Sequence, residues 1–255
     1  MAKVTVLTSS YKSEKYLRSY FKSITQQTFK NFEVSFQAVL PSDKEKNKLN
    51  KFKKKHLYFK SFEHTSLISL PKAWNLGIKE SQSELICIWN VNDLRTKGSL
   101  NEMVKAFESD SDIGFVYGNY TIVKKFKKRK GNFINESNRE NELKSSMILG
   151  PFFMFRKTVV DTIGMFDEQL KSGSDYDFAM RMARKFRGLH IDYNLGYYLN
   201  DKTGISTKEG SLQEIERTVV ELRYNLEVLN PKKVKEAKDK YNISKLMIND
   251  KFVEI

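Results

Sequence analysis

The chain has 255 residues, of which 40% are hydrophobic and 13% aromatic, a composition that predicts a packed core and excludes a disordered chain. Its 45 lysines and arginines exceed its 31 aspartates and glutamates, for a net charge of +14, which attracts nucleotides, anionic glycans, lipid headgroups or nucleic acid. A lysine-rich sequence with no such partner explains the same charge. The single cysteine excludes an internal disulfide framework. No apolar run approaches the roughly 18 residues of a membrane span, so we expect a cytoplasmic protein.

The first half of the chain alternates between short apolar runs and stretches with helical spacing. Strands are predicted at residues 4–8, 32–40, 56–62 and 84–89, and helices at residues 14–27 and 70–81. The lysine-rich residues 44–55 are predicted to form a solvated helix or a loop. Such alternation is typical of a parallel sheet with helices on its faces. Ligands of these sheets bind beyond the carboxyl ends of the strands, which here means residues 8–13, 38–43 and 90–96.

The second half of the chain has a less regular pattern. A helix is predicted at residues 99–108, a strand at 113–117, further helices before Ile163 and after Asp175, and C-terminal helices at 211–230 and 232–250. The basic run 123–130 is predicted to be an exposed hairpin arm or loop. The sequence therefore indicates a main domain over residues 1–210 and a helical extension over residues 211–255.

Five segments follow one another in the order of the motifs of a known family. They are Val4–Leu17, Ser23–Glu33, Trp74–Ile78, Ile163–Glu168 and Asp175–Arg181. Each match is weak alone, but together they resemble the inverting glycosyltransferase family 2. The resemblance implies an α/β fold of the GT-A type, with a Rossmann-like, mainly parallel sheet flanked by helices. It also implies transfer of a sugar from a nucleotide-sugar donor to a hydroxyl of a glycan or lipid-linked acceptor.

The resemblance places Asp175 at the position of the catalytic base. A carboxylate suits this role because it is ionised at neutral pH and can both orient the acceptor hydroxyl and take its proton. The alternative is that Asp175 is an acid at a helix start, where the backbone dipole stabilises a negative charge. Asp177 and Arg181 are predicted to be either structural or on the acceptor side.

The donor-binding positions depart from the family pattern. The resemblance implies donor contacts from Ser9, Ser10, Tyr11, Trp74, Asn90, Asn92 and Asp93. The acidic D-x-D-D tetrad of the family reads Asn90-Val91-Asn92-Asp93 here, and hard cations prefer charged oxygen ligands. A metal site at Asp93 and Asn92 would therefore be weak, even if Asp201 contributed, and the use of Mn²⁺ or Mg²⁺ is left open. Trp74 replaces an arginine of the family and could stack on a base or sugar, or belong to the core.

Three functions are compatible with these departures. The first is an active transferase with an unusual donor or a weak dependence on metal, in which lysine charge replaces the ion, and the second is an inactive, transferase-like glycan-binding or scaffold protein. The third, nucleic-acid binding, is disfavoured because the basic stretches lack a recognition helix or stacking platform. These stretches could instead contact an anionic membrane surface peripherally, or they could simply be solvated. We favour the first function.

Overall fold

The computed structural model describes residues 1–137 and 139–255. The strands in these residues are β1 Val4–Tyr11, β2 Phe32–Val39, β3 Phe59–His64, β4 Leu85–Ile88, β5 Leu94–Arg95, β6 Ile113–Val123, β7 Asn132–Ile134, β8 Phe153–Arg156, β9 Arg187–Leu199, β10 Lys245–Ile248 and β11 Lys251–Glu254. The helices are α1 Glu14–Thr25, α2 Asp43–Lys55, α3 Leu70–Glu80, α4 Ser99–Ser109, α5 Val159–Ile163, α6 Ser174–Lys185, α7 Gln213–Arg223 and α8 Val234–Lys240.

Within the described ranges, nine strands form one sheet in the order β3-β2-β1-β4-β8-β6-β9-β5, with β7 paired to β6. The first four strands are parallel to one another. Strand β8 runs antiparallel to both β4 and β6, and β9 runs parallel to β6. The predicted α/β fold, with a mainly parallel sheet flanked by helices, is confirmed.

A crevice opens at the carboxyl end of β1. Strand β1 pairs with β2 as far as Tyr11 and Val39, but it pairs with β4 only as far as Leu7 and Ile88. The chain proceeds from β1 outward to β2 and β3 and then returns to place β4 on the other side of β1. Ligands of open α/β sheets bind where the strand order reverses in this way, so the fold positions a site between the ends of β1 and β4.

The sheet has a packed layer on each face. On the face covered by α1, Tyr20 lies edge-on to Phe36 and Trp89, with ring centroids 5.6 and 5.7 Å apart. On the face covered by α3 and α6, Phe166 stacks on Phe178 at 4.2 Å. Aromatic pairs of this kind contribute about 0.5–1.5 kcal/mol beyond the burial of their area.

The lysine-rich segment is a helix, α2, with a defined start. The Ser42 hydroxyl accepts a hydrogen bond from the Glu45 N–H at 3.2 Å, and Glu45 accepts one from the Ser42 N–H at 2.9 Å. This reciprocal capping box satisfies two backbone donors that the helix would otherwise leave unpaired. Glu45 also accepts the N–H of Ser13 at 2.7 Å. The helix start thereby fixes the loop that follows β1.

Several strands differ from the sequence prediction: β6 extends beyond residue 117 to Val123, the short strands β5, β7 and β8 were not predicted, and β1 and β9 differ as follows. Strand β1 continues to Tyr11, three residues beyond the predicted end, and β9 was not predicted at all. Polar residues and glycines interrupt the apolar pattern of β9. A Cβ atom on Gly196 would lie 2.6 Å from the Leu94 carbonyl oxygen, so a close backbone approach requires glycine there. The basic run is the exposed turn between β6 and β7, which confirms the predicted hairpin arm.

The C-terminal extension contains the two helices α7 and α8, but the predicted helix through Asp250 was wrong. Strands β10 and β11 form an antiparallel hairpin instead. Asn249 and Asp250 have φ angles of 55° and 62°, and two consecutive residues with positive φ are what a tight hairpin turn requires. No helix in the described chain is long and apolar enough to cross a lipid bilayer. The extension packs against α6 through a buried cluster that includes Tyr176, Ile215 and Val219.

Candidate active site

The crevice between β1 and β4 brings most of the predicted donor-side residues to one edge of the sheet. Ser9, Ser10 and Tyr11 end β1, and Tyr11 is 46% exposed. Asn90 and Asn92 follow β4 on the opposite side and are half-buried. The geometry therefore offers hydroxyl and amide groups to a ligand, while the donor role of these residues stays a prediction.

Asp93 has a structural position rather than the predicted ligand-binding one. It is fully buried, and its two carboxylate oxygens accept hydrogen bonds from the Leu199 N–H at 3.0 Å and the Asn90 amide at 3.2 Å. Burial raises the pKa of Asp93 to about 7, although these hydrogen bonds and the charge of Arg95 oppose the rise. Asp93 therefore links the end of β4 to the end of β9. This corrects its assignment as a donor and metal ligand.

The residues at the crevice do not fit a divalent cation. Among the residues that the structure describes, no three histidine, cysteine, aspartate or glutamate side chains form a group that could hold a metal ion. Asn92 supplies only a neutral amide, and Asp201 accepts hydrogen bonds from the N–H and hydroxyl of Thr203 at 3.0 and 2.7 Å. The weak metal site predicted at Asp93 and Asn92 therefore lacks the charged oxygens that such an ion prefers.

Trp74 belongs to the core, which corrects its prediction as a donor-binding residue. It is 4% exposed, and its ring centroid lies 4.9 Å from that of Phe166. The neighbouring Asn75 amide donates to the Phe166 carbonyl and accepts the Phe166 N–H, both at 2.9 Å. The two motifs around Trp74 and Phe166 thus hold each other in place and do not reach into the crevice.

Asp175 is the second residue of α6 and is only partly buried. Its carboxylate accepts the N–H of Tyr176 at 2.8 Å. Burial raises the pKa of Asp175 to about 6, the Tyr176 N–H opposes this rise, and the nearby charge of Glu216 adds to it. Asp175 is therefore mostly ionised at neutral pH but holds a proton more tightly than an ordinary aspartate, which suits a general base.

Tyr198 on β9 connects the two sides of the candidate site. Burial raises the pKa of Tyr198, its hydrogen bond with Ser206 opposes the rise, and the charges of Asp93 and Asp175 add to it. Both acids therefore lie within electrostatic range of the same phenol.

Asp177 lies in a buried ion-pair network, which corrects its assignment to the acceptor side and favours the structural alternative. Its carboxylate is 2.9 Å from Arg181 Nε and 2.6 Å from Arg223 Nη1, and it accepts the Tyr224 hydroxyl at 3.1 Å. Arg223 also lies 2.9 Å from Asp167. Burial alone would raise the pKa of Asp177, but the charges of Arg181 and Arg223 lower it below its ordinary value.

Sequence reasoning missed Arg223 and Glu216, which both lie on α7 and contact the segments around Asp175. Their contacts reach across 46 residues from Arg223 to Asp177 and 43 residues from Glu216 to Gly173. Within α7 they are ordinary charged residues of an amphipathic helix. They could have been identified only by knowing that they contact acids or loops distant in the sequence, and no local motif encodes those contacts.

A basic cavity of about 510 Å³ lies between α1, β5 and the β6–β7 turn. Five cationic side chains with exposed surface line it: Arg18, Lys22, Lys97, Lys127 and Arg129. Among the described residues, no carboxylate lines this cavity, and none of the five cations forms an ion pair. The guanidinium of Arg129 lies 5.7 Å from the centre of the Tyr197 ring. An anion entering the cavity would meet uncompensated positive charge.

Comparison with known proteins finds a family model, "Glycosyl transferase family 2", that matches residues 5–164. The probable glycosyltransferase YdaM of Bacillus subtilis (strain 168) is 22% identical over 219 residues, which is 78% of this chain and 48% of that protein. The uncharacterized glycosyltransferase MJ1057 of Methanocaldococcus jannaschii is 25% identical over 189 residues, which is 70% of this chain and 63% of that protein. The chain spans less than two thirds of either relative.

Solved glycosyltransferases share the fold. TarS of S. aureus, residues 1–349, in complex with UDP-GlcNAc superimposes with a TM-score of 0.71 at 17% identity, covering 94% of this chain and 72% of that one. The mannosyltransferase PcManGT of Pyrobaculum calidifontis in complex with GDP-Man and Mn²⁺ gives a TM-score of 0.64 at 16% identity, covering 87% and 62%. These likenesses confirm the predicted GT-A fold. Asp175 lies beyond the segment that the family model matches.

Proposed function

Because the chain belongs to glycosyl transferase family 2, we propose that it is an inverting transferase that moves a sugar from a nucleotide-sugar donor to a hydroxyl of a glycan or lipid-linked acceptor. The observation that carries this proposal is Asp175, a partly exposed carboxylate with a pKa of about 6 at the start of α6. Solved proteins of the same fold are described with UDP-GlcNAc and with GDP-Man bound, which supports a nucleotide sugar as donor.

Asp175 acts as the general base in a single displacement. The acceptor oxygen forms a bond to the anomeric carbon from one side while the bond from that carbon to the nucleotide diphosphate breaks on the other. The proton of the acceptor hydroxyl passes to the Asp175 carboxylate, and the diphosphate leaves with the bonding electrons. Attack opposite the leaving group inverts the configuration. Positioned carboxylates of this kind contribute about 10²–10⁴-fold to the rate.

The crevice supplies the donor contacts in this proposal. Ser9 and Tyr11 on one side, with Asn90 and Asn92 on the other, can hydrogen-bond the nucleotide and sugar, whereas Ser10 is only 5% exposed. Because the crevice does not fit a divalent cation, lysine charge is proposed to offset the developing charge of the diphosphate. Lys12, which follows Tyr11 with a φ of 51° and is exposed, is placed to contribute.

The basic cavity supports a second part of the proposal, contact with an anionic acceptor or a membrane surface carrying it. Each cation near an anionic surface contributes about 1 kcal/mol, and five exposed cations line the cavity. The relatives are named glycosyltransferases, which favours catalysis over the inactive glycan-binding or scaffold alternative.

The test combines donor binding with base removal. Calorimetry with UDP-GlcNAc and GDP-mannose, with and without Mn²⁺, identifies a donor, and sugar transfer or donor hydrolysis is then followed by release of the nucleoside diphosphate. We expect Asp175→Asn to lower the rate by about 10²–10⁴-fold with donor binding retained. Asp161→Asn, an exposed aspartate on α5, serves as the matched control. Absence of nucleotide-sugar binding at millimolar concentration, or an unchanged rate in Asp175→Asn, would contradict the proposal.

A further inference from the structure

Glu216 on α7 is a buried acid in an unusual set of contacts. It has no exposed surface, and its carboxylate accepts the backbone N–H groups of three consecutive residues. The distances from its nearer oxygen are 2.9 Å to Lys171, 2.5 Å to Ser172 and 2.8 Å to Gly173. The Tyr241 hydroxyl donates to it at 2.7 Å. Hydrogen bonds to an ionised acceptor are about twice as strong as neutral ones, so the three N–H contacts hold residues 171–173 in place, and the Tyr241 contact holds the Glu216 carboxylate.

This segment leads directly into the helix that carries Asp175. Helix α6 begins at Ser174, and its N-cap residue Gly173 has no side chain to receive the N–H groups at the helix start. Glu216, from a distant helix, instead accepts the three N–H groups that immediately precede α6 and brings a negative charge close to the positive end of the helix dipole. A Cβ atom on Gly173 would lie 3.0 Å from the Glu216 Cβ, so the glycine permits this close approach.

Charged and titratable groups face Asp175 from two neighbouring elements. Glu216 approaches from α7, and its charge adds to the rise in the pKa of Asp175 that burial causes first. Tyr198 approaches from β9, and the charge of Asp175 contributes to the raised pKa of that phenol. Glu216 is therefore the acid whose charge opposes ionisation of Asp175, and it belongs to the extension that lies outside the matched family segment.

We propose that Glu216 is the positioning residue of the base: its buried carboxylate fixes the backbone of residues 171–173 and keeps a negative charge beside Asp175. This inference rests on the proposed function of Asp175. The C-terminal extension thereby completes the active site, although it contributes no group to the crevice itself.

The charge effect is tested by titrating the side-chain carboxyl carbon of Asp175 by ¹³C NMR, which needs no substrate. Glu216→Gln keeps the shape of the side chain but removes its charge, so we expect the pKa of Asp175 to fall from its wild-type value. Glu216→Asp keeps the charge and is expected to retain most of the elevation. Glu221→Gln, which removes a buried carboxylate from the same helix, is the matched control and should leave Asp175 unchanged.

The positioning effect is tested by amide hydrogen exchange at Ser172 and Gly173. Losing or shortening the Glu216 carboxylate should speed exchange of these amides by about tenfold, as expected for a lost hydrogen bond to a charged group, and Glu221→Gln should not. The inference is overturned if the pKa of Asp175 does not change in Glu216→Gln, or if the amides of Ser172 and Gly173 exchange at the wild-type rate in both Glu216 variants. The Asp175→Asn experiment measures the reaction rate. If its rate is unchanged, the proposed base is wrong, but the titration of Asp175 and the exchange at Ser172 and Gly173 still decide whether Glu216 acts on this segment.

Discussion

The replacement of Arg223 by alanine is expected to destabilise the protein strongly. Arg223 is fully buried, and its guanidinium lies 2.9 Å from Asp167 and 2.6 Å from Asp177. It also donates to backbone carbonyls at the end of the extension, those of Asn242, Ile243 and Lys245. The variant leaves Asp177 with Arg181 alone, removes the cation that pairs with Asp167, and leaves the carbonyls without this donor.

Removing one partner of a buried ion pair costs about 3–5 kcal/mol, so the free energy of unfolding should fall by about 4 kcal/mol or more. Lys240→Ala provides a control in the same extension, because the Lys240 side chain is 52% exposed and pairs with Glu236 at the surface. Exposed pairs of this kind contribute about 0–1 kcal/mol. The loss of stability in Arg223→Lys should lie between those of Arg223→Ala and Lys240→Ala, because lysine keeps the charge but loses the planar guanidinium that reaches both acids.

Urea unfolding of each variant at about pH 8 and about pH 5 provides the measurement. In the wild type, Arg181 and Arg223 lower the pKa of Asp177 against the effect of burial, so this acid stabilises the fold above its ordinary pKa and loses that contribution as the pH falls. In Arg223→Ala the unpaired acid takes up a proton more readily, so the penalty should shrink towards pH 5. A penalty below about 1 kcal/mol, or one that is equal at both pH values, would refute the argument.

Three further predictions concern the site, the core and the cavity. The pKa of Asp175 is raised to about 6, so wild-type stability should fall as the pH rises from about 4 to about 6, whereas Asp175→Asn should lack this loss of about 2–3 kcal/mol in urea unfolding. Trp74→Phe should cost about 1.5 kcal/mol or less, because the cavity left by the smaller ring is partly offset by removal of a buried Nε1–H that has no hydrogen-bond partner among the described residues. Trp89→Phe should cost more, because Trp89 donates to the Asp93 carbonyl at 3.1 Å; thermal unfolding compares the two. Lys22→Glu with Arg129→Glu should reduce cosedimentation with phosphatidylglycerol vesicles but not with phosphatidylcholine vesicles, and equal sedimentation with the former would contradict the proposed surface contact.

The parallel half of the fold could be predicted because its signals are local. Apolar runs such as residues 84–89 and helical spacing such as residues 14–27 lie close to the observed β4 and α1. Strand β9 could not be found this way, because its place in the sheet is set by pairing with β6 and by glycines that allow close contacts. The hairpin at Asn249 and Asp250 did have a local signal, a two-residue turn between apolar pairs, which the helical interpretation overlooked.

The site was predictable only where a motif fixed both residue type and position. The motif located Asp175 at the start of a helix, as the structure shows. It misassigned Asp93 and Trp74, because burial depends on neighbours that come from other elements. Arg223 and Glu216 act through contacts with residues more than 40 positions away, which neither spacing nor composition encodes.

The buried ion pair between Arg223 and Asp167 also determines which parts of the protein can fold first during its synthesis. The two residues are 56 positions apart, so at a synthesis rate of about 5–20 residues per second Asp167 emerges roughly 3–11 s before its partner. During that interval Asp167 lacks the cation that pairs with it in the folded protein, and Asp175 lacks the support of α7. The parallel strands have by then been synthesised and can begin to pair, whereas the segment that leads into Asp175 has to wait for the last fifth of the chain. A ribosome-bound intermediate of this protein would therefore hold a formed crevice and an Asp175 without its supporting contacts.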